Sequence, residues 1–290
     1  MPNKDYKAHF KFCDLEDRYS SWEKSRIAVL PVSYDLTTSY RPGASTGPRA
    51  IIDASRYMET YDDETGKEIY KQGIYTAEEI KPVNPEPEEI IKKVEKEVSS
   101  ILKAGKFPIV LGGEHSITLG PVKAFKKKFK DFSVLQLDAH RDMRHSFQGS
   151  KHSHACIAKR IIEITCLTQV GIRSLSKDEA GREYKNLKTF FMKGMIDNDS
   201  WISEAIDSLD SDKVYVTIDM DAFDPSIMPS VGTPEPGGMG WYGTLALLKR
   251  LSLEKKVIGF DVVELSPIAG NVSPDFLTAK LIYKFLSYIF

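Results

Sequence analysis

The chain has little of what several protein classes depend on. Its cysteines are only three, Cys13, Cys156 and Cys166, an odd number without the spacing of a disulfide framework. That excludes a disulfide-stapled scaffold and fits a reducing compartment. No apolar run approaches the roughly 18 residues a membrane span requires, and the start MPNKDYKAHF lacks the apolar stretch of a signal peptide. A cytoplasmic protein with no membrane partner is expected. Surplus charge is missing too: 40 Lys+Arg stand against 41 Asp+Glu, a net of -1, which is not the profile of a nucleic-acid binder. The run Lys126, Lys127, Lys128 and Lys130 reads as a solvated helix end. With no low-complexity linker and no internal repeat, residues 1–290 are expected to form one domain, 1–25 being an N-terminal extension.

What is present is an alternation. Short β-rich runs occur at 27–30, 108–111, 133–137, 168–172, 189–192, 213–218 and 256–261, with a weaker one near 73–75. Helix-like stretches lie at 87–104, 115–129, 153–164, 199–209, 241–251 and 274–289. Runs such as VTID and FPIVLGG are apolar without a period of two, as expected of strands covered on both faces. Strands alternating with helices mean βαβ units around a parallel sheet. Residues 1–25 and 35–50 read as irregular surface segments. The second holds Arg41-Pro42-Gly43 and Thr46-Gly47-Pro48, a loop entering a helix.

Ligands of open parallel sheets bind beyond the carboxyl ends of the strands. Four of the candidate strands end in acids or histidines: Gly112-Gly113-Glu114-His115-Ser116, Asp138-Ala139-His140-Arg141-Asp142, Asp219-Met220-Asp221 and Asp261-Val262-Val263-Glu264. Residues two apart on extended chain point the same way. Asp138 and His140 can thus face one pocket, with Asp142 within reach as the strand bends, and Asp219 and Asp221 repeat the device. With His115 this makes four carboxylates and two imidazoles without a thiolate. Such a hard donor set suits Mn²⁺ better than structural zinc, while Zn, Fe, Co or Ni fit in part. Six ligands exceed what one ion takes, so two ions sharing bridging carboxylates are the natural reading.

Each piece alone has a plainer reading. Strand-end aspartates cap loops or helices. A histidine at a helix start is often a packed ring, Gly112-Gly113 asks only for a tight turn, and Asp224-Pro225 is a turn. Two carboxylates on one face of an apolar strand end are harder to dismiss, because they repel unless a cation or protons intervene.

In order along the chain, SYRPGASTGPRAI, GGEHS, DAHRD, SHAC, VTIDMDAFDPSIMPSVGTPEPGG and DVVELSP resemble the successive signatures of the arginase/agmatinase, or ureohydrolase, family. The resemblance covers most of the chain from about residue 35 onward. It implies a three-layer α/β/α sandwich with a mainly parallel eight-stranded sheet. It also implies two Mn²⁺ per subunit and hydrolysis of a small guanidino substrate to an amine plus urea. Position by position, His115, Asp138, Asp142 and Asp219 would hold one manganese, and Asp138, His140, Asp219 and Asp221 the other. His154 would stand beside the site as a proton shuttle or substrate contact. Glu264 would receive the guanidinium, which a carboxylate matches bidentately. Relatives assemble as trimers or hexamers, so a homo-oligomer is expected. A catalytically inactive homologue acting as a binding partner is the competing class, but it would be expected to have lost a ligand, and all six positions are filled.

The loop 143–152 is where relatives separate substrates. It lacks the hydroxyl-and-amide pattern with which arginases hold an α-carboxylate, and Arg144 stands where an asparagine is expected. Thr233-Pro234-Glu235-Pro236-Gly237-Gly238 looks more like agmatinases. Agmatine, giving putrescine, is therefore the first expectation; arginine, guanidinobutyrate and aminopropyl-agmatine are alternatives. Arg141 inside the metal motif, and His145-Ser146 where similar agmatinases tend to carry acids, depart from the agmatinase pattern; a guanidino acid or arginine would suit Arg144 and Lys151 better.

Overall fold

The computed structural model of the protein describes residues 10–82, 86–196, 198 and 200–290. Its strands are β1 (Ile27–Pro31), β2 (Ile74–Thr76), β3 (Phe107–Leu111), β4 (Ser133–Leu137), β5 (Cys166–Ile172), β6 (Leu187–Phe191), β7 (Lys213–Asp219) and β8 (Lys256–Val263). They form one eight-stranded sheet in the order β2-β1-β3-β8-β7-β4-β5-β6. Every pairing is parallel, so the expected mainly parallel sheet is parallel throughout. The chain lays β2 and β3 on either side of β1, builds outward from β4 through β5 to β6, then returns with β7 and β8 to fill the middle. The four central strands β3, β8, β7 and β4 are those whose ends carry the acids and histidines.

Among the described residues the helices longer than one turn are α1 (Gly47–Ser55), α2 (Pro87–Lys103), α3 (Leu119–Lys128), α4 (Ile157–Ile161), α5 (Trp201–Asp207), α6 (Trp241–Glu254) and α7 (Ser273–Ile289), and they cover the sheet. Side chains alternate across each strand, and the core divides accordingly. Ile27 and Val29 of β1 and Leu135 and Leu137 of β4 meet α1, α5, α6 and α7 on one face. Ala28, Leu30 and Val134 meet α2, α3 and α4 on the other. Burial of each such Val, Leu or Ile side chain stabilises by about 1.5–3 kcal/mol. Three layers result, as the resemblance implies.

Local differences from the sequence reading have physical causes. The stretches expected as helices from 115 and 153 open as 3-10 turns, His115–Thr118 and His154–Cys156, before α3 and α4 begin. Their first residues are held by the site rather than by helix propensity. Strand β6 starts two residues earlier than expected, at Leu187. The first residue of the 199–209 stretch lies outside the described residues, as do 1–9 of the N-terminal extension. Part of the segment read as irregular surface packs instead. Phe12 is fully buried, its amide donates to Thr76 Oγ1 at 2.9 Å, and the Cys13 amide donates to Ser55 Oγ at 2.8 Å. Among the described residues no helix is long and apolar enough to cross a membrane. The lysine run is a helix end: Lys127 pairs with Glu95 at 2.5 Å and Lys128 Nζ donates to Leu102 O at 2.6 Å, closing the end of α2.

Candidate functional site

Beyond the ends of β3, β8, β7 and β4 the loops cross closely. Gly113 is required there: a Cβ on it would lie 1.8 Å from the Tyr34 carbonyl. Without one, Glu114 N donates to Tyr34 O and Glu264 N to Gly113 O, both at 2.7 Å. Three segments distant in sequence are thereby locked at one point, with His115 and Glu264 on either side.

The structure brings all six expected ligands together. His115 Nδ1 lies 3.1 Å from Asp138 Oδ2, 3.1 Å from Asp219 Oδ2 and 3.7 Å from Asp142 Oδ2. His140 Nδ1 lies 2.7 Å from Asp221 Oδ2 and 3.8 Å from Asp138 Oδ1. Two groups with the geometry to hold an ion follow, His115–Asp138–Asp219 and Asp138–His140–Asp221, sharing Asp138. The strand ends make this possible. The Asp221 amide returns to Asp219 Oδ1 at 2.8 Å and the His140 amide to Asp138 Oδ1 at 2.6 Å, so each Asp turns its loop back on itself. Asp142 joins through a left-handed backbone, φ 50°, as does Glu264 at φ 66°. For residues other than glycine that conformation is sparsely populated, and it persists where surroundings impose it.

The donor set fits divalent cations. His115 Nε2 contacts Thr217 Oγ1 at 2.9 Å, and the Thr217 proton goes to Asp261 Oδ1 at 2.5 Å. The neutral ring then donates from Nε2 and keeps a lone pair on Nδ1. With no cation there, burial is outweighed by Asp138 and Asp219, which raise the ring well above its usual range and draw a proton to that nitrogen instead. That buried Nδ1 has no hydrogen-bond partner and faces the oxygens of Asp138 and Asp219. Lone pair against carboxylate is repulsive unless a cation lies between.

The electrostatics agree. Burial first, then the neighbouring carboxylates, pushes Asp138 upward and Asp142 and Asp219 well above the usual carboxylate range. For Asp221 burial is overcome by the His140 ring, which holds the acid at about 2. Burial likewise opposes protonation of His140, but Asp221 outweighs it and raises the ring to about 11. Glu264 is pushed up to about 8 by burial and then by Glu114. A cluster that holds protons this tightly is one that cations of higher charge can occupy in their place.

A cavity of about 360 Å³ opens over these groups, lined among others by His115, His140, Asp142, His154, Thr233 and Glu264. Glu264 Oε1 accepts the His115 amide at 2.6 Å. His154 lies further out, with Nδ1 3.1 Å from Thr37 Oγ1 and Nε2 2.9 Å from Ser39 Oγ. Burial, then His115 and His140, pushes its pKa down to about 4.

Several supporting roles were not legible in the sequence, although Asp261 stands in one of its strand-end motifs. Gln136 Nε2 donates to Asp138 Oδ2 at 2.7 Å and is itself held by Gln169 at 3.0 Å. Arg173 donates to the carbonyls of Asp221, Phe223 and Glu235, tying the Asp221 loop to the TPEPGG segment. Thr217 and Asp261 hold His115 from behind. All sit on or just after strands, where a polar residue in an otherwise apolar run was the available signal. Asp224 serves its turn, accepting the amides of Ser226, Gly237 and Gly238. Arg141 points away from the ligands: it donates to the carbonyls of Glu179 and Arg182, so its charge does not compete with a metal.

Residues 25–287 match the arginase family. The chain belongs to that family. It is 42% identical to the N(1)-aminopropylagmatine ureohydrolase of Synechocystis sp., with 99% of this chain and 96% of that protein covered. Identity to the agmatinase of Pyrococcus horikoshii is 36%, covering 88% and 89%. The agmatine ureohydrolase of Thermoplasma volcanium superposes with a TM-score of 0.85 at 34% identity, over 97% of this chain and 94% of that one. The chain is thus an arginase-family hydrolase of the ureohydrolase type. Within such a ureohydrolase Arg144 and Lys151 acquire definite positions. Both are exposed; the Arg144 guanidinium rests 4.8 Å from the Phe147 ring centroid at the cavity wall, and Lys151 is not part of the cavity lining.

Proposed function

We propose that this ureohydrolase cleaves the guanidinium group of an agmatine-type polyamine, N1-aminopropylagmatine ahead of agmatine, to urea and the corresponding amine. The observation that carries the reading is the pair of carboxylate–imidazole groups sharing Asp138, with Glu264 facing the same cavity. His115, Asp138, Asp142 and Asp219 would hold one Mn²⁺, and Asp138, His140, Asp219 and Asp221 the second. Bound there, the ions would supply Lewis acidity and a water acidified toward neutral pH.

The chain's own residues do the rest. Glu264 receives the guanidinium: Oε1 is fixed by the His115 amide, which leaves Oε2 free, and the planar cation restores the acid's charge despite burial. The left-handed backbone at Glu264 aims this carboxylate along the cavity. His154, beside the cavity, relays to the departing amine the proton given up by the attacking water. A neutral ring suits this, because it can take a proton at Nε2 and return it.

The longer substrate is placed first because the relative at 42% identity carries that name and is covered almost end to end. Agmatine is the second reading, favoured by the agmatinase at 36%. The cations that line the cavity are engaged elsewhere, Arg41 on the carbonyls of Ser266 and Pro267, Arg141 on those of Glu179 and Arg182, and Arg144 on the Phe147 ring, which argues against a carboxylate-bearing substrate. Urea release by the Mn²⁺-loaded protein across N1-aminopropylagmatine, agmatine, arginine and guanidinobutyrate tests this. The highest kcat/KM should fall on N1-aminopropylagmatine. A preference for arginine or guanidinobutyrate overturns the substrate class, and absence of urea from all four, with metal bound, overturns the reaction.

A further inference from the structure

Glu114 is fully buried, has no part among the expected ligands, and accepts three hydrogen bonds. Thr37 N donates to Oε2 at 2.6 Å, Thr37 Oγ1 to Oε1 at 2.7 Å, and Ser116 Oγ also to Oε1. Thr37 belongs to the segment read from sequence as irregular surface, yet its hydroxyl lies between this acid and His154. The His154 amide donates to Thr37 Oγ1 at 3.1 Å, and the ring Nδ1 lies 3.1 Å from the same oxygen.

A threonine hydroxyl has one proton and two lone pairs. The contact to Glu114 Oε1, at 2.7 Å against 3.1 Å to the ring, is the shorter and takes the proton. One lone pair accepts the His154 amide, and the other faces Nδ1. If Nδ1 were bare, two lone pairs would confront each other at that distance. Ser153 Oγ, 3.2 Å from Nδ1, and Ser39 Oγ, 2.9 Å from Nε2, are rotatable hydroxyls without such a commitment. They adapt to whichever nitrogen carries the proton; Thr37 does not. The Phe147 ring stands edge-on to the imidazole, centroids 5.8 Å apart, and limits its rotation.

We infer that Thr37 and Glu114 are positioning residues that fix His154 as the Nδ1–H tautomer, so that Nε2, on the Ser39 side of the ring, carries the lone pair. The tautomer stands on this geometry alone. Its kinetic consequence rests on the proposed role of His154 in proton transfer, and the two can fail separately.

The test is ¹⁵N NMR of histidine-labelled protein loaded with diamagnetic Zn²⁺, the His154 signals being those lost in His154→Gln. Wild type should show a protonated, pyrrole-type Nδ1 and a bare, pyridine-type Nε2. Thr37→Val should move the ring toward Nε2–H, and Thr37→Ser should retain the wild-type pattern. Glu114→Gln should also move it toward Nε2–H, because the amide donates to Thr37 and turns that proton onto Nδ1. An Nε2–H ring in wild type, or a pattern unchanged in Thr37→Val, overturns the inference. In urea release, Thr37→Val should lower kcat about tenfold with KM changed less than about twofold, restored by serine. A tautomer that moves while kcat does not would uphold the inference and remove His154 from the proposed chemistry.

Discussion

The His115 amide donates to Glu264 Oε1 at 2.6 Å, so the acid proposed to receive the guanidinium is tied through backbone to a residue of the metal cluster. The two belong to different strand ends, β3 and β8, joined also by the Glu264 amide on Gly113 O. Placement of substrate relative to metal is thereby set by the sheet rather than by a flexible loop, as orientation-dependent catalysis requires.

Glu264→Gln separates these functions. The amide keeps shape and can still accept the His115 amide, but it cannot pair with a guanidinium as an ion. We expect metal content unchanged and kcat/KM lowered by roughly 10²–10³, the range for losing one charge-assisted contact to the reacting group. Wild-type kinetics in this variant would place the guanidinium elsewhere.

Asp219→Ala should behave differently, because Asp219 faces the bare His115 nitrogen at 3.1 Å and its other oxygen holds the Asp221 amide. Its loss removes a ligand and loosens a second one. Metal and activity should disappear together, read as bound Mn²⁺ per chain by elemental analysis alongside urea release. Full metal occupancy in the alanine variant would exclude Asp219 as a bridging ligand.

How much of this was legible in the sequence depended on range. The strand-end acids and histidines are spaced by two along extended chain, so local geometry alone places Asp138 with His140 and Asp219 with Asp221. The parallel sheet then puts four strand ends side by side, which is why the pattern could be read as one site. Thr37, Thr217 and Asp261 could not be read that way, because each acts on a histidine far off in sequence: Thr37 on His154 and Thr217 on His115, with Asp261 behind. Phe12 was not legible as core because Phe10 and Phe12 alone, among polar neighbours, make too short a pattern to mark an element; its burial comes from docking beside β2 and α1.

Arg144→Ala distinguishes the substrate classes. The guanidinium is exposed and stacked on Phe147 at the cavity wall. Removing a cation near the path of a polyamine should leave kcat/KM for agmatine unchanged or raise it by up to about fivefold, more at low salt than at high salt. A drop of tenfold or more would mean that Arg144 contacts an anionic group on the true substrate.

Lys284 supplies a prediction about stability. Its ammonium is almost fully buried on α7, 3.0 Å from Asp62 Oδ2, 2.9 Å from Glu64 Oε2 and 3.7 Å from Asp63 Oδ1. Neighbouring bonds from Tyr283 OH to Thr60 O and Lys67 Nζ to Ser287 O dock the same helix on the same loop. Lys284→Met leaves Asp62 buried without its counter-ion, which typically costs about 3–5 kcal/mol and should lower Tm by roughly 5–10 °C. The pH dependence follows from the acids. Burial opposes ionisation of Asp62, but the Thr65 amide and Lys284 overcome it and keep the carboxyl below its usual range. Glu64 is held at about 2 by Tyr288, Lys284 and Lys249. Both folded values lie below those of the unfolded chain, so this stabilisation is complete above the ordinary carboxylate range and is lost as pH falls toward 2. Calorimetry from pH 7 to pH 3 should show wild-type Tm falling at the acid end and the variant, already without the cation, falling less. Equal Tm for the two proteins at pH 7 would show that the buried ammonium does not hold α7 to the loop.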